Sequence, residues 1–234
     1  MKKKALILFS GGLDSTTALY RALNEFDEVV PLIIDYSQKH SVEVKNAVKI
    51  AKMNELEFIH ISFPLNKVLG SALLDPDWEI PESLESAKDT RGIPETYVPF
   101  RNGIFLSLAA GIAETRGITN IITGFNLIDT PDYPDTTGSF MEKMEDAINE
   151  GTTASITGTR FRVIAPLINK TKKEIIEMGL SLGADYSWSV SCYRGEEMPC
   201  LKCPSCDIRA KAFSEIGIED PLIRRLKKEK KNGA

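Results

Sequence analysis

The chain has 234 residues, of which 42% are hydrophobic, so it can bury one sizeable core and we expect one main domain with at most a small appendage. A formal net charge of −4 and a sequence pI of about 5.4 give no general electrostatic footprint for nucleic acid or an anionic membrane, which favours a small-molecule substrate. The first apolar stretch, residues 5–9, is shorter than the hydrophobic region of a secretory signal, and we therefore expect a cytoplasmic protein.

Short apolar runs alternate with helical patterns along the first half of the chain. Runs typical of strands covered on both faces lie at residues 5–9, 29–34, 58–61 and 118–123. Apolar residues with helical spacing occur at 15–24, 43–53 and 103–116. This alternation predicts an α/β fold with a doubly wound, mostly parallel sheet.

Later in the chain the pattern is less regular. Thr171 and Glu174 have the spacing of a capping box, which predicts a further helix that ends near Gly183. Residues 64–99 and 126–139 fit neither a strand nor a helix. Long loops of this kind in a compact domain are usually functional or disordered.

The sequence SGGLDS at positions 10–15 joins the first predicted strand to the first predicted helix. Its glycines permit close approach to the backbone, and the N–H groups of the loop and the helix form an anion site suited to phosphate. The loop lacks the Lys of a Walker A motif and the third glycine of the dinucleotide fingerprint. A tight strand-to-helix turn, with Asp14 or Ser15 as the helix N-cap, is the purely structural alternative.

Polar residues also follow the second strand and open the third helix, at the edge where open α/β sheets bind their ligands. Asp35 and Tyr36 end the second strand, and an ordinary turn is the alternative for them. Arg101 follows the first long loop, and its guanidinium group suits a phosphate or a carboxylate. Asn102 is well placed to cap the helix, and this is its structural alternative.

The fourth strand leads into a second polar loop, whose residues 124–135 read GFNLIDTPDYPD. Its carboxylates can accept from the paired N–H donors of a guanine-like edge, and its aromatic rings can stack on a heterocycle. The candidate substrate contacts in this loop are Asn126, Asp129, Tyr133 and Asp135. A solvated acidic loop is the alternative.

All four cysteines of the chain lie in one short segment, with the spacing C-x7-C-x2-C-x2-C. We interpret Cys192, Cys200, Cys203 and Cys206 as ligands of one structural zinc ion, because four thiolates close a tetrahedral shell and leave no position for an activated water. An iron–sulfur cluster and fortuitous clustering are the alternatives. The predicted domains are therefore 1–185, which binds nucleotide, and 186–234, a zinc-binding helical extension.

The loop at 10–15 resembles the PP-loop, SGGxDS, of the ATP pyrophosphatase superfamily. Further segments extend the resemblance over nearly the whole chain and narrow it to the 7-cyano-7-deazaguanine synthase family. They read IDYSQKH at 34–40, YVPFRN at 97–102, GFNLIDTPDYPD at 124–135 and SCYRGEEMPCLKCPSCDIRAKAF at 191–213.

The resemblance implies that 7-carboxy-7-deazaguanine is converted into the 7-nitrile with ammonia and ATP, in the biosynthesis of queuosine or archaeosine. It implies Asp14, Ser15 and Arg101 as catalytic residues, with Mg²⁺ beside Asp14 because a carboxylate next to pyrophosphate repels it otherwise. Substrate contacts are expected from Arg101, Asn102, Asn126, Asp129, Tyr133 and Asp135. Nucleotide contacts are expected from Phe9, Ser10, Gly11, Gly12, Leu13, Asp14, Ser15, Thr16, Thr17, Asp35, Tyr36 and Gly124.

Two features qualify the resemblance. The family commonly has YPDCRPEF where this chain has Tyr133 to Phe140 reading YPDTTGSF, so the acceptor pocket differs in detail. The chain has only two histidines, and the metal interpretation uses every cysteine, so a glutaminase triad is unsupported. Nitrogen is expected as free ammonia or from a partner subunit. A homodimer is plausible from the family. A tRNA-modifying PP-loop enzyme, a paralogue that activates a related carboxylate, and a catalytically silent nucleotide-binding module are the competing interpretations.

Overall fold

The computed structural model describes residues 2–39, 41–82, 88–90, 92–128, 133–196 and 198–232. Within this part of the chain, five strands form one sheet: β1 (Lys4–Leu8), β2 (Glu28–Asp35), β3 (Ile59–Ser62), β4 (Asn120–Ile122) and β5 (Arg162–Ile164). Their order is β3-β2-β1-β4-β5, and all neighbouring strands are parallel. The predicted parallel sheet is confirmed. Strand β5 was not predicted, because it has three residues and none of them is fully buried.

The helices are α1 (Leu13–Glu25), α2 (Ser41–Met53), α3 (Arg101–Thr115), α4 (Gly138–Gly151), α5 (Ala154–Thr157), α6 (Lys172–Ser181), α7 (Pro204–Glu215) and α8 (Pro221–Asn232). The predictions for α1, α2, α3 and α6 are confirmed. The capping box of α6 is present, with the Thr171 hydroxyl accepting from Glu174 N–H and the Glu174 carboxylate accepting from Thr171 N–H. In the described part of the chain, no helix has the length and apolar character needed to cross a membrane.

The sheet is covered by helices on both faces, which confirms the doubly wound architecture. Leu6 and Leu32 point to one face, where they pack with α3 and α4 in a buried cluster. Ile7 and Ile33 point to the opposite face, where α1, α2 and α6 cover them. Because strand residues alternate between faces, a run that is apolar at every position is the expected sequence of such a sheet.

The strand register brings three connecting segments to one edge of the sheet. Leu8 of β1 is paired with Leu32 of β2, and Ile7 is paired with Ile122 of β4. Since the strands are parallel, the segments that leave β1, β2 and β4 all emerge at the carboxyl edge. This is the edge at which open α/β sheets bind ligands.

At two helix starts on this edge, the N-cap differs from the residue that the structural alternative named. Gly12 is the N-cap of α1, in place of Asp14 or Ser15, and it has no side chain to satisfy the first turn. Helix α3 begins one residue before Asn102, after Phe100 in a left-handed conformation with φ 53°. The N–H of Asn102 donates at 3.0 Å to the carboxylate of Asp135, a cap supplied by a distant loop that local sequence does not reveal.

Candidate active site

A cavity of about 320 Å³ lies at the carboxyl edge of the sheet. Twelve of the predicted site residues line it: Phe9, Ser10, Gly12, Leu13, Asp14, Ser15, Tyr36, Arg101, Asn102, Gly124, Asn126 and Tyr133. Five others, Gly11, Thr16, Thr17, Asp35 and Asp135, are not part of its wall. Asp129 lies outside the described residues. Both polar and apolar side chains line the cavity, as expected for a site that holds a charged nucleotide and a flat heterocycle.

Glycine is required at two positions beside the cavity. Gly11 has φ +82°, and a Cβ there would come within 2.9 Å of the Ala47 backbone in α2. A Cβ on Gly124 would lie 2.9 Å from the backbone nitrogen of Ser15. Both distances are shorter than normal Cβ contacts, so any side chain would push α2 or β4 away from the loop. These glycines therefore permit the close packing that shapes the loop at 10–15.

The loop is held by its own hydroxyl groups. Gly12 N–H donates to Ser10 Oγ at 3.2 Å, and Ser15 Oγ donates to the Gly12 carbonyl at 3.1 Å. The Ser10 and Ser15 hydroxyl oxygens are 3.1 Å apart. Because the N-cap of α1 is a glycine, the first N–H groups of the helix have no capping side chain, and the residues of this first turn line the cavity. An uncapped helix N-terminus at the wall of a cavity is suited to a phosphate group.

Asp14 forms an ion pair that the sequence did not reveal. Lys172, the first residue of α6, places its Nζ atom 2.7 Å from both carboxylate oxygens of Asp14. Both side chains are largely buried, with 15% and 26% exposure, and both line the cavity. The two residues are separated by 158 positions in the chain, and the only local signal for Lys172 is that it follows the capping residue Thr171. The cavity therefore carries a cation next to the loop in addition to Arg101.

Thr16, Thr17 and Asp35 lie behind the cavity wall. Thr17 Oγ1 is 2.6 Å from Tyr186 Oη, and this contact joins α1 to the segment that precedes α7. Thr16 is fully buried, and its hydroxyl has no hydrogen-bond partner among the described residues. Asp35 accepts from the N–H of Ser37 at 3.0 Å and so shapes the turn after β2. These positions support the loop from behind.

Arg101 and Tyr36 form a hydrogen-bonded pair in the wall of the cavity. Arg101 Nη1 donates to Tyr36 Oη at 3.2 Å. Burial raises the pKa of Tyr36, so this hydroxyl remains protonated at neutral pH. Burial lowers the pKa of Arg101, but Tyr36, Asp135 and Tyr133 together raise it by more, so the net shift of this pKa is upward. The guanidinium group therefore stays charged inside the cavity.

Glu43 is a second residue that sequence analysis missed. It lies in the first turn of α2 and lines the cavity beside the loop. A Cβ on Gly12 would be 3.2 Å from Glu43 Oε1, which shows how closely the carboxyl group approaches the loop. Burial raises the pKa of Glu43 to about 7, although the Ser10 hydroxyl and Arg101 act in the opposite direction. The only sequence signal was its place in the predicted helix, which gave no reason to assign it to a ligand site.

The loop after β4 is anchored on both sides. The Asn126 side chain donates to the Leu167 carbonyl at 3.2 Å and to the Lys170 carbonyl, which fixes the start of α6. Tyr133 Oη is 2.6 Å from Thr96 Oγ1, and the Tyr133 ring packs edge-on against Tyr97 at 5.7 Å between centroids. Tyr133 thus contacts the end of the first long loop, at Thr96 and Tyr97, beside the cavity.

The four cysteines form one compact cluster. All their sulfur atoms lie within 4.8 Å of one another, and none forms a disulfide. Cys200 Sγ and Cys206 Sγ are 3.9 Å apart. Four sulfurs placed tetrahedrally at ~2.3 Å from a zinc ion are separated by about 3.8 Å, so the cluster has the size of such a shell. Cys200 N–H and Cys203 N–H each donate to a neighbouring cysteine sulfur, at 3.4 and 3.3 Å. These contacts favour thiolates, and the cluster could hold a metal ion.

The cysteine segment also reaches the cavity. Val190 N–H donates to the Gly11 carbonyl at 3.1 Å, and Ser191 and Tyr193, on either side of Cys192, line the cavity. Arg209 of α7 is 4% exposed, pairs with Asp220 at 2.6 Å and donates to the Ser189 carbonyl. The segment 190–193 therefore both contacts the loop at 10–15 and carries Cys192 of the cluster.

Comparisons with known proteins extend these observations. The family described as "Queuosine biosynthesis protein QueC" matches residues 4–217. The chain belongs to the QueC family. Its relatives include the 7-cyano-7-deazaguanine synthase of Geotalea daltonii, which is 45% identical over 98% of this chain and 100% of that protein. The 7-cyano-7-deazaguanine synthase of Myxococcus xanthus is 44% identical over 94% of this chain and 97% of that protein.

One solved structure with the same fold is a 4-thiouridine synthetase–RNA complex with bound ATP. It has a TM-score of 0.50 and 22% identity, and the match covers 92% of this chain and 50% of that protein. At this level of identity, the likeness supports the shared fold alone. It agrees with the α/β fold that the alternation of strands and helices predicted.

The departure from the common QueC sequence can be placed in the structure. Thr137 is the N-cap of α4, and its hydroxyl accepts from Phe140 N–H at 3.1 Å. Thr136 lines the cavity, is buried, and donates to the Tyr133 carbonyl at 2.9 Å. A Cβ on Gly138 would meet nothing within 4 Å. The altered residues thus build a helix start, and among these three Thr136 is the one that lines the cavity.

Proposed function

We propose that the protein is an ATP-dependent ligase that converts 7-carboxy-7-deazaguanine and ammonia into 7-cyano-7-deazaguanine. One observation carries the proposal: a single cavity of this QueC-family chain is lined by the loop at 10–15, the Asp14–Lys172 pair and Arg101. The loop leads into the start of α1, which has no capping side chain. The names of the relatives support the product. This chemistry belongs to the routes to queuosine or archaeosine.

The proposed nucleotide site uses the SGGLDS loop for the β and γ phosphates of ATP. The N–H groups at the start of α1 would face the phosphates, and Lys172 would neutralise part of their charge. Asp14 fits a magnesium site, because Mg²⁺ is usually held by one or two carboxylates together with substrate phosphates. Magnesium would there stabilise the charge of the leaving pyrophosphate.

The conversion of a carboxylate into a nitrile expels both oxygens, so each oxygen must be activated. We infer two rounds on the same site. In the first, a substrate oxygen attacks the α-phosphate of ATP, pyrophosphate leaves, and ammonia then displaces AMP to give the amide. In the second, the amide oxygen attacks the α-phosphate of another ATP and pyrophosphate leaves. The C–O bond then breaks, AMP departs with that oxygen, and the nitrogen gives up its two protons to form the nitrile. Arg101 lines the same cavity as the loop and would hold the carboxylate or the α-phosphate.

The heterocycle would occupy the side of the cavity formed by Asn102, Asn126, Tyr133 and Thr136. Asp135 is better placed to support this wall than to touch the ligand, because one of its oxygens caps α3. Asp129, outside the described residues, remains a proposed substrate contact. Thr16 and Thr17 would act from behind the phosphates, and Asp35 through the turn that carries Tyr36.

The cysteine cluster would hold one structural zinc ion. Four thiol ligands of the right separation fit zinc, and bound zinc would fix the segment that contacts Gly11. We further propose a cytoplasmic protein that takes free ammonia, binds no nucleic acid and forms a homodimer. The division into residues 1–185 and 186–234 belongs to the same proposal.

The experiment is to incubate the purified protein with ATP, Mg²⁺, ammonium and 7-carboxy-7-deazaguanine, and to follow the amide and the nitrile by mass spectrometry. The proposal expects the amide to accumulate first and the nitrile to follow. Absence of both products in the presence of bound zinc and intact protein would overturn the proposed function.

A further inference from the structure

The cavity contains one carboxyl group that the proposed nucleotide chemistry does not use. Glu43 lies against the Gly12 side of the loop, beside the Ser10 hydroxyl and opposite Arg101. Among the described residues, no Lys or Arg forms an ion pair with it. The other ionisable side chains that line the cavity are Asp14, Lys172, Tyr36, Arg101, Tyr133, Tyr193 and Arg209.

A carboxylate in this place is unfavourable for the binding of ATP alone. It would repel the phosphates that the loop is proposed to hold. Asp14, the other carboxylate that lines the cavity, is paired with Lys172. Buried charges are normally paired or coordinate a cation. A cation that arrives with the reaction would therefore stabilise the charged form of Glu43.

We propose that Glu43 binds the ammonium ion that supplies the nitrogen of the product. This inference rests on the proposed function and assigns its second substrate to a residue. At neutral pH ammonia is present mainly as ammonium, a small cation whose four N–H groups all need acceptors. The Glu43 carboxylate can accept from it, and the hydroxyl oxygens of Ser10 and Tyr36 line the same part of the cavity.

The same position explains how ammonium becomes a nucleophile. Ammonium passes one proton to the Glu43 carboxylate, and the nitrogen lone pair then forms the C–N bond to the acyl carbon. The C–O bond to the phosphate breaks, and its electron pair leaves with AMP. The second proton that the nitrogen releases passes to water. A carboxyl group with a pKa of about 7 is suited to accept a proton at neutral pH.

Mg²⁺ is the other cation that this carboxylate could attract. Mg²⁺ requires near-octahedral oxygen ligands and keeps several waters, and Asp14 already offers a carboxylate next to the loop. A single carboxylate among hydroxyl groups suits a hydrogen-bonding cation better. The experiment below distinguishes ammonium from Mg²⁺ as the cation that Glu43 binds.

The test compares two substrates with one variant, Glu43→Gln. Formation of the amide from the 7-carboxylate consumes ammonium, whereas formation of the nitrile from the 7-carboxamide consumes none. We expect Glu43→Gln to raise the KM for ammonium at least tenfold in the first reaction, and to keep the second reaction within twofold of the wild type. Glu142→Gln, which alters an exposed carboxylate on α4, serves as the matched control and should change neither.

Each other outcome overturns the inference. If both reactions slow equally, Glu43 organises the loop at 10–15. If neither reaction changes, the carboxylate has no role in the reaction. If the KM for Mg²⁺ rises while the KM for ammonium does not, the cation that Glu43 binds is Mg²⁺. A second assay tests the proposed function independently of ammonium binding by Glu43. It measures the exchange of pyrophosphate into ATP that depends on the 7-carboxylate, in the absence of ammonium. Wild-type protein that shows neither exchange nor amide would contradict the proposed function itself, whereas exchange that persists in Glu43→Gln leaves that function standing.

Discussion

The loop at 10–15 and the cysteine cluster differ in how they are built, although backbone contacts join them. The loop is open to a cavity and is surrounded by charged groups from four distant segments, among them Lys172 and Arg101. The cluster is closed, largely buried and made from one segment of 15 residues, 192–206. An open site with preorganised charge is suited to turnover, whereas a closed shell of ligands is suited to stability. Substitutions should therefore separate the two regions.

The largest effect on turnover is expected from Asp14→Ala. Loss of the carboxylate removes the proposed magnesium ligand, and we expect kcat to fall by about 10³-fold or more. The fold should persist with a free energy of unfolding lower by on the order of 3 kcal/mol, because the Asp14–Lys172 pair is largely buried and the substitution removes one of its partners. Steady-state kinetics and thermal unfolding measure the two effects. The matched control is Asp146→Asn on the surface of α4, and a kcat for Asp14→Ala within tenfold of the control would refute the assignment.

Cys203→Ala should have the opposite profile. Removal of one of four ligands opens the coordination shell, so zinc content and the free energy of unfolding should fall together, the latter by several kcal/mol. Turnover should fall in proportion to the folded fraction. Metal analysis and thermal unfolding, with Ser214→Ala on α7 as the control, test this expectation. Retention of both metal and stability in Cys203→Ala would show that the cluster is not a metal site.

Residues with local signals were predictable from the sequence, and residues placed by long-range packing were not. The cysteines, the glycines and the strand-to-helix loop each carry their signal within a few positions. Lys172 and Glu43 reach the cavity only because α6 and α2 pack beside α1, and no spacing in the sequence encodes that packing. Asp135 likewise caps α3 from a loop more than 30 residues away, which is why the cap differs from Asn102, the residue that the structural alternative named.

The strand β5 and helix α4 were missed for a related reason. Strand β5 pairs with β4 at the edge of the sheet, so it needs neither length nor a continuous apolar run. Helix α4 begins at Gly138, inside a stretch rich in Pro, Asp and Thr that indicated a loop. Its start is set by the Thr137 cap, a signal that the surrounding turn residues concealed.

Lys172→Met, a substitution beside the loop at 10–15, should have an intermediate effect on turnover. The substitution keeps much of the side-chain volume but removes the cation beside Asp14, so we expect the KM for ATP to rise and kcat to fall by about 10- to 100-fold. Lys173→Met alters the neighbouring residue, which is exposed and points to Glu177, and should be nearly silent. Equal kinetics for the two variants would remove Lys172 from the proposed nucleotide site.

The smallest effect is a pH dependence of stability that originates in Glu43. Burial raises its pKa from 4.5 to about 7, so the folded protein binds this proton more tightly than the unfolded chain. The contribution of this proton to the free energy of unfolding is fully present below about pH 4.5. It is lost as pH rises through about 7, and the loss is on the order of 3 kcal/mol at most. Glu43→Gln lacks this loss and should become more stable relative to the wild type as pH rises from 5 to 8. Denaturant unfolding at both pH values measures the difference, and a difference that does not change with pH would contradict the buried carboxyl group.

The central claim is that the loop activates both oxygens of the acid by adenylation. The most direct measurement uses 7-carboxy-7-deazaguanine labelled with ¹⁸O at both carboxylate oxygens, followed by mass spectrometry of the nucleotide products. The account predicts two AMP molecules for each nitrile, each with one ¹⁸O in its phosphate, and unlabelled pyrophosphate. Label in inorganic phosphate, with ADP as the nucleotide product, would contradict it.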